Sequence, residues 1–557
     1  MANELEKKWK QRIIGNALYN SIKYGKALPE KVLQSLFKEG LKKQDIKEIM
    51  PLIKKEVDRI NSLSEEKRKK EFEKFEEKFE EIEKEKEKKS RREMPELKDV
   101  KEGQIITRIA PEPSKYNHIG HAFSFLLNYY YAKKYKGKCK LRFEDCNPEK
   151  VSQEYVDAMK EDVLKYLGIQ VSSIKFVSDD IPKLYRYAEK LIEKGNAYMC
   201  DCKKEEISKL RREGKECSCR YKDIEKNLEE WKKFIGGRIR KKVILRLKGN
   251  MLSDNGVMRD PILFREIKKE HYRHGRKYKV WPTYDFYNAI EDSMMNVTHI
   301  FRSNEFALRN ELQNYLRELL GLKKPEIIQY GRINVLGAIT KGREIREKIE
   351  KKEYLGWDDP RLMTLRALKR RGIVKETFYE LIKKIGLNQQ QSNLDFEFLA
   401  SINRKIIDKE AERYSFCKEP IKLNLREIPI KEVFVKIHPE KNKKRKIKVK
   451  GIYISREDFE NYEGKEVRLM HLFNVKLKKD SVIITGTENK KIPKINWVSD
   501  FVNVRILMDN AEWISGIAEI AIKNLKLGQI IQFERFGFCR FDRINEMGEY
   551  EFWFTHR

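Results

Sequence analysis

Long apolar runs are missing from this chain of 557 residues: none approaches the ~20 residues that span a bilayer. The opening stretch, MANELEKKWK, also lacks the apolar core of a secretory signal. Both absences set the expectation of a cytoplasmic protein with no membrane partner. Cysteine is scarce, at 8 residues, which is too few for a secreted disulfide framework in so long a chain. Histidine is equally scarce, also at 8, so two that fall close together carry weight. No unit recurs at a fixed period of about 20–50 residues, which argues against repeat architectures. No Ser/His/Asp or Cys/His arrangement announces covalent catalysis. Acidic residues are outnumbered: 121 Lys and Arg against 88 Asp and Glu leave a formal charge of +33, which points to a polyanion. Hydrophobic residues, at 40%, are still enough for several cores, and at about 100–200 residues per domain the length suggests three to five.

Residues 1–60 place Leu, Ile and Val at helical spacing and read as a small helical unit. From Ser64 to Arg92 the composition is nearly all Glu, Lys and Arg, with Phe72, Phe75, Phe79 and Ile82 marking one helix face. This stretch reads as a solvated helical arm, its balanced charge arguing against a helix that grips RNA. After Met94-Pro95, short apolar strands alternate with amphipathic helices, as in QIITRIA, SFLLNYYYAKKY and CKLRF, the grammar of βαβ units. Residues 200–280 are richer in Cys, Arg and Gly and read as an insertion, after which the alternation resumes around Tyr284. Helices dominate 344–415, and beyond about 420 the segments VFVKI, IKVKGIYI, VIITG, FVNVRILM, IIQFERFGF and EFWFTH read as a β-barrel or sandwich.

The sharpest local signal is PEPSKYNHIGH, residues 111–121, between the strand QIITRIA and a helix expected to start near His121. His118 and His121 bracket Ile119-Gly120 at that strand-to-helix turn, where free N–H groups and the positive helix end attract an anion. Gly120, without a Cβ, would let an adenine ring approach the backbone, and the histidines would donate to phosphate oxygens as charge builds. Taken alone, the pair also fits two surface histidines at an ordinary helix cap. A second cluster is Cys200-Asp-Cys202 followed by Cys217-Ser-Cys219. Four thiolates can close a tetrahedral zinc site, although the one-residue gaps are shorter than in standard zinc ribbons, and free thiols are the competing reading. The remaining Cys139, Cys146, Cys417 and Cys539 are scattered and read as packing residues.

The tetrapeptide His-Ile-Gly-His resembles the ATP signature of class I aminoacyl-tRNA synthetases. RIAPEPSKYNHIGHA, LRFEDCNPEK, TYDF, VTHIFRS, GWDDPRLMTLRALKRRGI and QFERFGFCR, in this order, narrow the resemblance to the glutamyl and glutaminyl enzymes of archaeal and eukaryotic type. The resemblance spans roughly residues 100–557. It implies a Rossmann-type catalytic domain with an inserted acceptor-stem domain, a helical domain and anticodon-reading β-barrels. The expected boundaries are 1–95 for an N-terminal helical appendage and arm, 96–199 and 284–343 for the catalytic halves, 200–283 for the insertion, 344–418 for the stem-contact helices and 419–557 for the β-barrels.

The resemblance also implies the chemistry: a glutamyl-adenylate forms by in-line attack of the glutamate carboxylate on the α-phosphorus of Mg²⁺-bound ATP, and the acyl group then passes to tRNA. Motif by motif, Pro113, Ser114, His118, Ile119, Gly120, His121, Ala122 and Lys341 are expected at ATP. Arg108, Ala110 and Glu112 are expected at the amino-acid pocket, with Glu144 and Tyr284 at the α-ammonium group. Arg302, in VTHIFRS, matches the arginine of glutamyl enzymes and favours a carboxylate substrate over glutamine's amide. The mobile second ATP signature is altered here to Ala338-Ile339-Thr340-Lys341-Gly342-Arg343. Lys341 is expected to neutralise phosphates, with Arg343 or Arg346 in support; a basic loop that merely faces RNA is the other reading. Lys115 and Asn117 stand where relatives carry Gly and an apolar residue, and both are expected to loosen nucleotide packing. A Cys-x-Cys knuckle in the insertion of related enzymes supports structural Zn²⁺, with Tyr221 as a reserve ligand.

A tRNA ligand accounts for the charge. Contributors are sought in Arg238-Ile-Arg240-Lys-Lys242, Lys369-Arg370-Arg371 and Lys443-Lys444-Arg445-Lys446, though each run also reads as a solvated face. Phe533, Phe536, Phe538 and Trp553 suit base stacking but read first as barrel core. The expected partners are tRNA(Glu), with tRNA(Gln) left open as a second acceptor, L-glutamate, and a protein recruited through residues 1–95. The competing functions are glutamine–tRNA ligation and a non-catalytic RNA-binding protein derived from a synthetase.

Overall fold

The computed structural model describes residues 2–41, 45–76, 79, 94–98, 100–239, 241–425, 427–479 and 481–557. Ile82, most of the charged arm and Arg240 lie outside the described residues. The chain divides into two compact units, Met1–Glu93 and Met94–Arg557.

In the first unit, helices Ala2–Tyr24, Pro29–Lys38, Ile46–Ser62 and Glu65–Phe72 close on a core that includes Trp9, Ile13, Leu36, Ile53 and Ile60. The start of the arm is not solvated as expected. Phe72 and Phe75 pack against this core, and Phe79 stacks on Tyr19 with ring centroids 4.8 Å apart. Gly15 makes the approach possible, since a Cβ there would meet Phe75 at 3.0 Å. Burying a phenylalanine is worth about 1.5–3 kcal/mol, enough for the stripe to draw these turns onto the bundle.

In the second unit, strands Ile106–Ile109, Lys138–Phe143 and Ser173–Phe176 pair in parallel, as do His299–Ser303 and Glu326–Tyr330. Thr298 joins the two groups. Its N–H donates to the Ile106 carbonyl at 2.9 Å, and the Ile106 N–H donates to its hydroxyl at 2.9 Å. The sheet therefore runs in both directions from strand Ile106–Ile109, and the strand order reverses between it and His299–Ser303. In such doubly wound sheets the binding crevice opens at the carboxyl ends of the strands beside that reversal. Helix Ile119–Lys134 crosses from the first strand to the second with Phe123, Leu126, Leu127 and Tyr131 buried. Its Asn128 side chain donates to the Phe301 carbonyl at 2.9 Å and accepts the Phe301 N–H at 3.3 Å, which ties the helix to the far half of the sheet.

Between the two halves the chain forms a four-stranded antiparallel sheet, Ala197–Cys200, Ile244–Leu247, Ile262–Glu266 and Val280–Pro282, over a core with Trp231, Phe264 and Trp281. Helices Leu365–Arg371, Lys375–Ile385 and Phe396–Ile407 share one core with the parallel sheet, where Leu368, Phe378 and Leu381 join Leu141 and Phe143. Further on, strands Glu412–Tyr414 and Phe416–Lys418 form the opposite edges of one seven-stranded sheet. The sheet thus closes at Ser415, whose N–H donates to Glu519 at 2.7 Å. Phe533, Phe538 and Trp553 are buried in this region, and Phe536 is half-buried against the same core. Among the described residues, no helix is long and apolar enough to cross a membrane.

Two of the basic runs do not present their charges as expected. Arg371 is 4% exposed and donates to the carbonyls of Pro360, Phe554 and Thr555. Arg370 pairs with Asp358 and Asp542, and Arg445 is held bidentately by Glu519. Guanidinium groups have five fixed donors, which makes them fasteners between elements as readily as phosphate ligands.

Candidate active site

A cavity of about 750 Å³ opens at the carboxyl ends of strands Ile106–Ile109 and His299–Ser303. Its wall brings together Arg108, Ala110, Glu112, His118, Gly120, His121, Glu144, Tyr284, Arg302 and Lys341. Of the other expected ATP residues, Ile119 and Ala122 turn their side chains into the core. Pro113 is buried, and the Ser114 hydroxyl donates to Glu112 at 3.0 Å.

One end of the cavity is built on a buried acid. Asp292 receives Arg108 at 3.3 Å, Arg142 at 2.7 Å and Arg317 at 3.1 Å. Burial pushes its carboxyl up, but the guanidinium groups, Arg142 foremost, outweigh this and hold it at about 2. Arg108 uses Nε for this bond, so the fork of its guanidinium is left for a ligand. Arg142 also donates to Glu144 at 3.0 Å, and Asn288 donates to the same Oε1 at 2.8 Å, so Oε2 of Glu144 is left over. Burial raises the Glu144 carboxyl. Tyr284 opens helix Tyr284–Met294, and burial pushes its phenol up to about 12.

Arg302 is 4% exposed, yet its hydrogen-bond partners are neutral amides, Gln313 at 2.9 Å and Asn310. Its Nε has no partner among the described residues, and burial lowers its pKa. Asp292 acts on it only as a more distant charge, and a buried cation without a paired carboxylate costs several kcal/mol, so this cavity is built for an anion.

At the other end His118 is the N-cap of helix Ile119–Lys134, so the helix begins two residues before His121. His118 Nδ1 accepts the Gly120 N–H, and His121 Nδ1 accepts the His118 N–H, both at 3.1 Å. This reciprocal cap assigns the remaining proton of each neutral ring to Nε2. Burial pushes His118 down to about 3 and His121 well below its ordinary value. Both rings therefore serve as neutral Nε2–H donors. Gly120 is needed for the cap itself, because a Cβ there would meet His118 Cε1 at 2.9 Å.

Asn117 points away from the cavity, contrary to expectation: it is fully buried, and its amide donates to Asp162 at 3.0 Å. Its backbone carbonyl accepts the Leu365 N–H at 2.8 Å, which pins the turn to helix Leu365–Arg371. Thr340 and Lys341 line the wall facing the histidine turn, with Lys341 exposed and paired to Glu344 at 2.9 Å. Arg346 donates to the Ser114 carbonyl at 3.3 Å, while Arg343 is turned to Glu347.

The four clustered cysteines meet where strand Ala197–Cys200 ends beside the turn Ser218–Tyr221. Their Sγ atoms all lie within 4.8 Å of one another, with Cys200–Cys217 at 3.9 Å and Cys202–Cys219 at 3.8 Å. Four thiolates ~2.3 Å from a tetrahedral centre stand about 3.8 Å apart, so the cluster fits zinc. Beneath it, the fully buried Arg246 guanidinium reaches Cys217 at 3.5 Å and Cys200 at 3.9 Å, a positive charge suited to a site with more thiolate than metal charge. Tyr221 is 74% exposed and donates to Glu216. The other four cysteines are buried.

Sequence reading missed Arg142, Asp292, Asn288, Asn310, Gln313 and the role of Asn117. Asn288 and Asp292 share one helix face and Asn310 and Gln313 another, a spacing that marks a face but not what it meets, while Arg142 comes from a strand.

The family model for tRNA synthetases class I (E and Q), catalytic domain, matches residues 104–409, and two models for the anti-codon binding domain of that group match 411–492 and 476–542. Among curated proteins, a glutamate–tRNA ligase of Methanocaldococcus jannaschii is 38% identical over 97% of this chain and 98% of its own length. One of Pyrococcus furiosus is 36% identical over 95% and 96%, and one of Nitrosopumilus maritimus 38% over 97% and 99%.

Proposed function

The chain belongs to the class I tRNA synthetases of the E and Q group, with that group's catalytic and anticodon-binding domains, and from this premise we propose how its cavity carries out the reaction. The protein ligates glutamate to tRNA, as its near full-length relatives are named for doing. In our reading the parallel sheet is the adenylating domain, residues 200–283 are its acceptor-stem insertion, 344–418 contact the stem, and 419–557 read the anticodon.

The observation that carries the substrate assignment is Arg302, buried among neutral amides with an unpartnered Nε on the cavity wall. The γ-carboxylate of glutamate supplies the missing counter-charge, whereas glutamine's amide would leave the cation uncompensated. Arg108, held by Asp292, offers its fork to a carboxylate. The free oxygen of Glu144 and the hydroxyl of Tyr284 take the α-ammonium group. ATP lies over the histidine turn, its phosphates accepting from the Nε2–H groups of His118 and His121 and its charge met by Lys341. Mg²⁺ bound to ATP would supply further neutralisation of the phosphate charge. The α-carboxylate oxygen then attacks the α-phosphorus and pyrophosphate departs, leaving glutamyl-adenylate. A terminal ribose hydroxyl of tRNA next attacks the acyl carbon and releases AMP. Positioning and charge neutralisation suffice for both steps, so no protein nucleophile is needed. Zn²⁺ would be held by Cys200, Cys202, Cys217 and Cys219 and would stabilise the insertion.

Aminoacylation of tRNA(Glu) and tRNA(Gln) transcripts with labelled glutamate and glutamine tests the reading. Glutamate charging is expected, and Arg302→Ala is expected to raise the glutamate KM strongly. Glutamine charging by the wild type would overturn the assignment. Glutamyl-tRNA(Gln) as a second product would show that the anticodon region accepts both tRNAs.

A further inference from the structure

We propose that Lys115 is a substrate-contacting residue of the adenylation step, its ammonium binding the phosphate chain of ATP opposite Lys341. This rests on the placement of ATP in the cavity given above. Lys115 lines the cavity three residues before the capping His118 and is half-buried. Of the cations on that wall, Arg108, Arg309, Arg332 and Lys341 are each paired with a carboxylate, and Arg302 faces amides. Lys115 makes no hydrogen bond or ion pair among the described residues; Glu112 and Glu305 act on it only as more distant charges. Lys150 is also unpaired among the described residues but exposed, so water already solvates it.

The stem of Lys115 is fixed by the loop that carries Lys341. A Cβ built on Gly342 would stand 3.2 Å from both Cβ and Cδ of Lys115, so the glycine lets the aliphatic chain lie flat against the loop backbone. The two lysines are thereby held on facing elements. Burial lowers the pKa of Lys115, and its charge in turn depresses those of His118 and His121. A cation desolvated beside two Nε2–H donors and the positive end of a 16-residue helix is a local excess of positive charge. That excess needs a polyanion, and the phosphate chain is the polyanion this reaction brings. The carboxylates of glutamate are already matched by Arg302 and Arg108. Among the loop's cations only Lys341 lines the cavity, Arg343 and Arg346 being turned to Glu347 and Ser114, so Lys115 supplies the second phosphate charge.

The test is steady-state charging of tRNA(Glu) with ATP, glutamate and tRNA varied in turn, for the wild type, Lys115→Ala, Lys115→Gln, Lys115→Arg and His121→Ala. Loss of one charge-assisted hydrogen bond is expected to raise the ATP KM of Lys115→Ala about tenfold. The glutamate KM should stay unchanged, and Lys115→Arg should recover most of the loss. Lys115→Gln keeps the packed stem and removes only the charge, so it gives the same readout if the alanine variant is unstable. Inorganic pyrophosphate should inhibit the alanine variant more weakly than the wild type, with adenosine inhibiting both equally. Normal ATP dependence in the Lys115 variants, with His121→Ala impaired, would overturn this role and leave the cavity assignment standing. Normal ATP dependence in His121→Ala as well would overturn both. A rise confined to the tRNA KM would assign the lysine to RNA and overturn the proposal.

Discussion

Gln313 accepts a hydrogen bond from Arg302 at 2.9 Å through Oε1 while its Nε2 donates to Asp285 at 3.0 Å. Asp285 in turn takes Arg309 at 2.5 Å, so a chain of side chains fixes which way the Gln313 amide points. The amide is oriented to hold Arg302 without neutralising it, and the charge is kept for a ligand. Gln313→Glu would place a carboxylate against that charge. The glutamate KM is expected to rise by at least tenfold, the scale of one charge-assisted hydrogen bond, and by more than in Gln313→Ala. Kinetics with glutamate varied check this; equal effects of the two substitutions would refute the electrostatic account.

The histidine turn is pinned, through Asn117, to a titrating group on a separate helical segment. Burial pushes the Asp162 carboxyl up to about 7, against ~3.9 in an unfolded chain. Between about pH 4 and 7 the folded protein keeps a proton that the unfolded chain has released, so this group's contribution to stability falls as pH rises through that window. Asp162→Asn removes the titration and preserves an acceptor for Asn117. Its melting temperature is expected to match the wild type near pH 4 and to exceed it increasingly up to pH 7. Parallel Tm curves for the two proteins would contradict the shift.

Arg371 fastens helix Leu365–Arg371 to the last strand, Tyr550–His556, through the carbonyls of Phe554 and Thr555. Its replacement by alanine orphans three buried acceptors, an expected cost of about 3–5 kcal/mol read as a lower denaturant midpoint. Because the side chain is buried, the salt dependence of tRNA binding should keep its slope. A shallower slope in Arg371→Ala would show that the residue contacts phosphate after all.

For the cysteine cluster, elemental analysis of the purified wild type should find one zinc per chain, and Cys217→Ser should lose it together with several degrees of Tm. Arg246→Met is expected to retain the four thiolates but to surrender zinc to a chromophoric chelator at lower chelator concentration, since a cation beneath the thiolates is removed. A metal-free wild type would end the assignment.

Much of the site was legible in the sequence because its motifs are contiguous. The histidine turn, Arg302 in VTHIFRS and Tyr284 in TYDF each belong to a contiguous motif that the family resemblance marks, and the fold brings them to one cavity wall. Asp292, Arg142 and Gln313 were not legible. Each is one charged or polar residue within an ordinary amphipathic element, and only packing shows that Asp292 meets three arginines whose sequence positions span some two hundred residues. The basic runs were misread for the same reason. Lys369-Arg370-Arg371 is a patch of charge in one dimension, while in three dimensions two of its members are internal fasteners.

The sequence by itself determined the strand-helix alternation, the histidine turn, the four-cysteine cluster and the excess of positive charge, since each depends on residue type and short-range spacing. Tertiary structure decided which cations are free to act. Arg371 and Arg445 are consumed by internal partners, whereas Lys115 and the Nε of Arg302 remain without partners among the described residues, on the wall of one cavity. The physical reason is that a charge is available to a substrate only if the fold desolvates it and withholds its counter-charge. That is a relation among elements distant in sequence, and no local pattern encodes it.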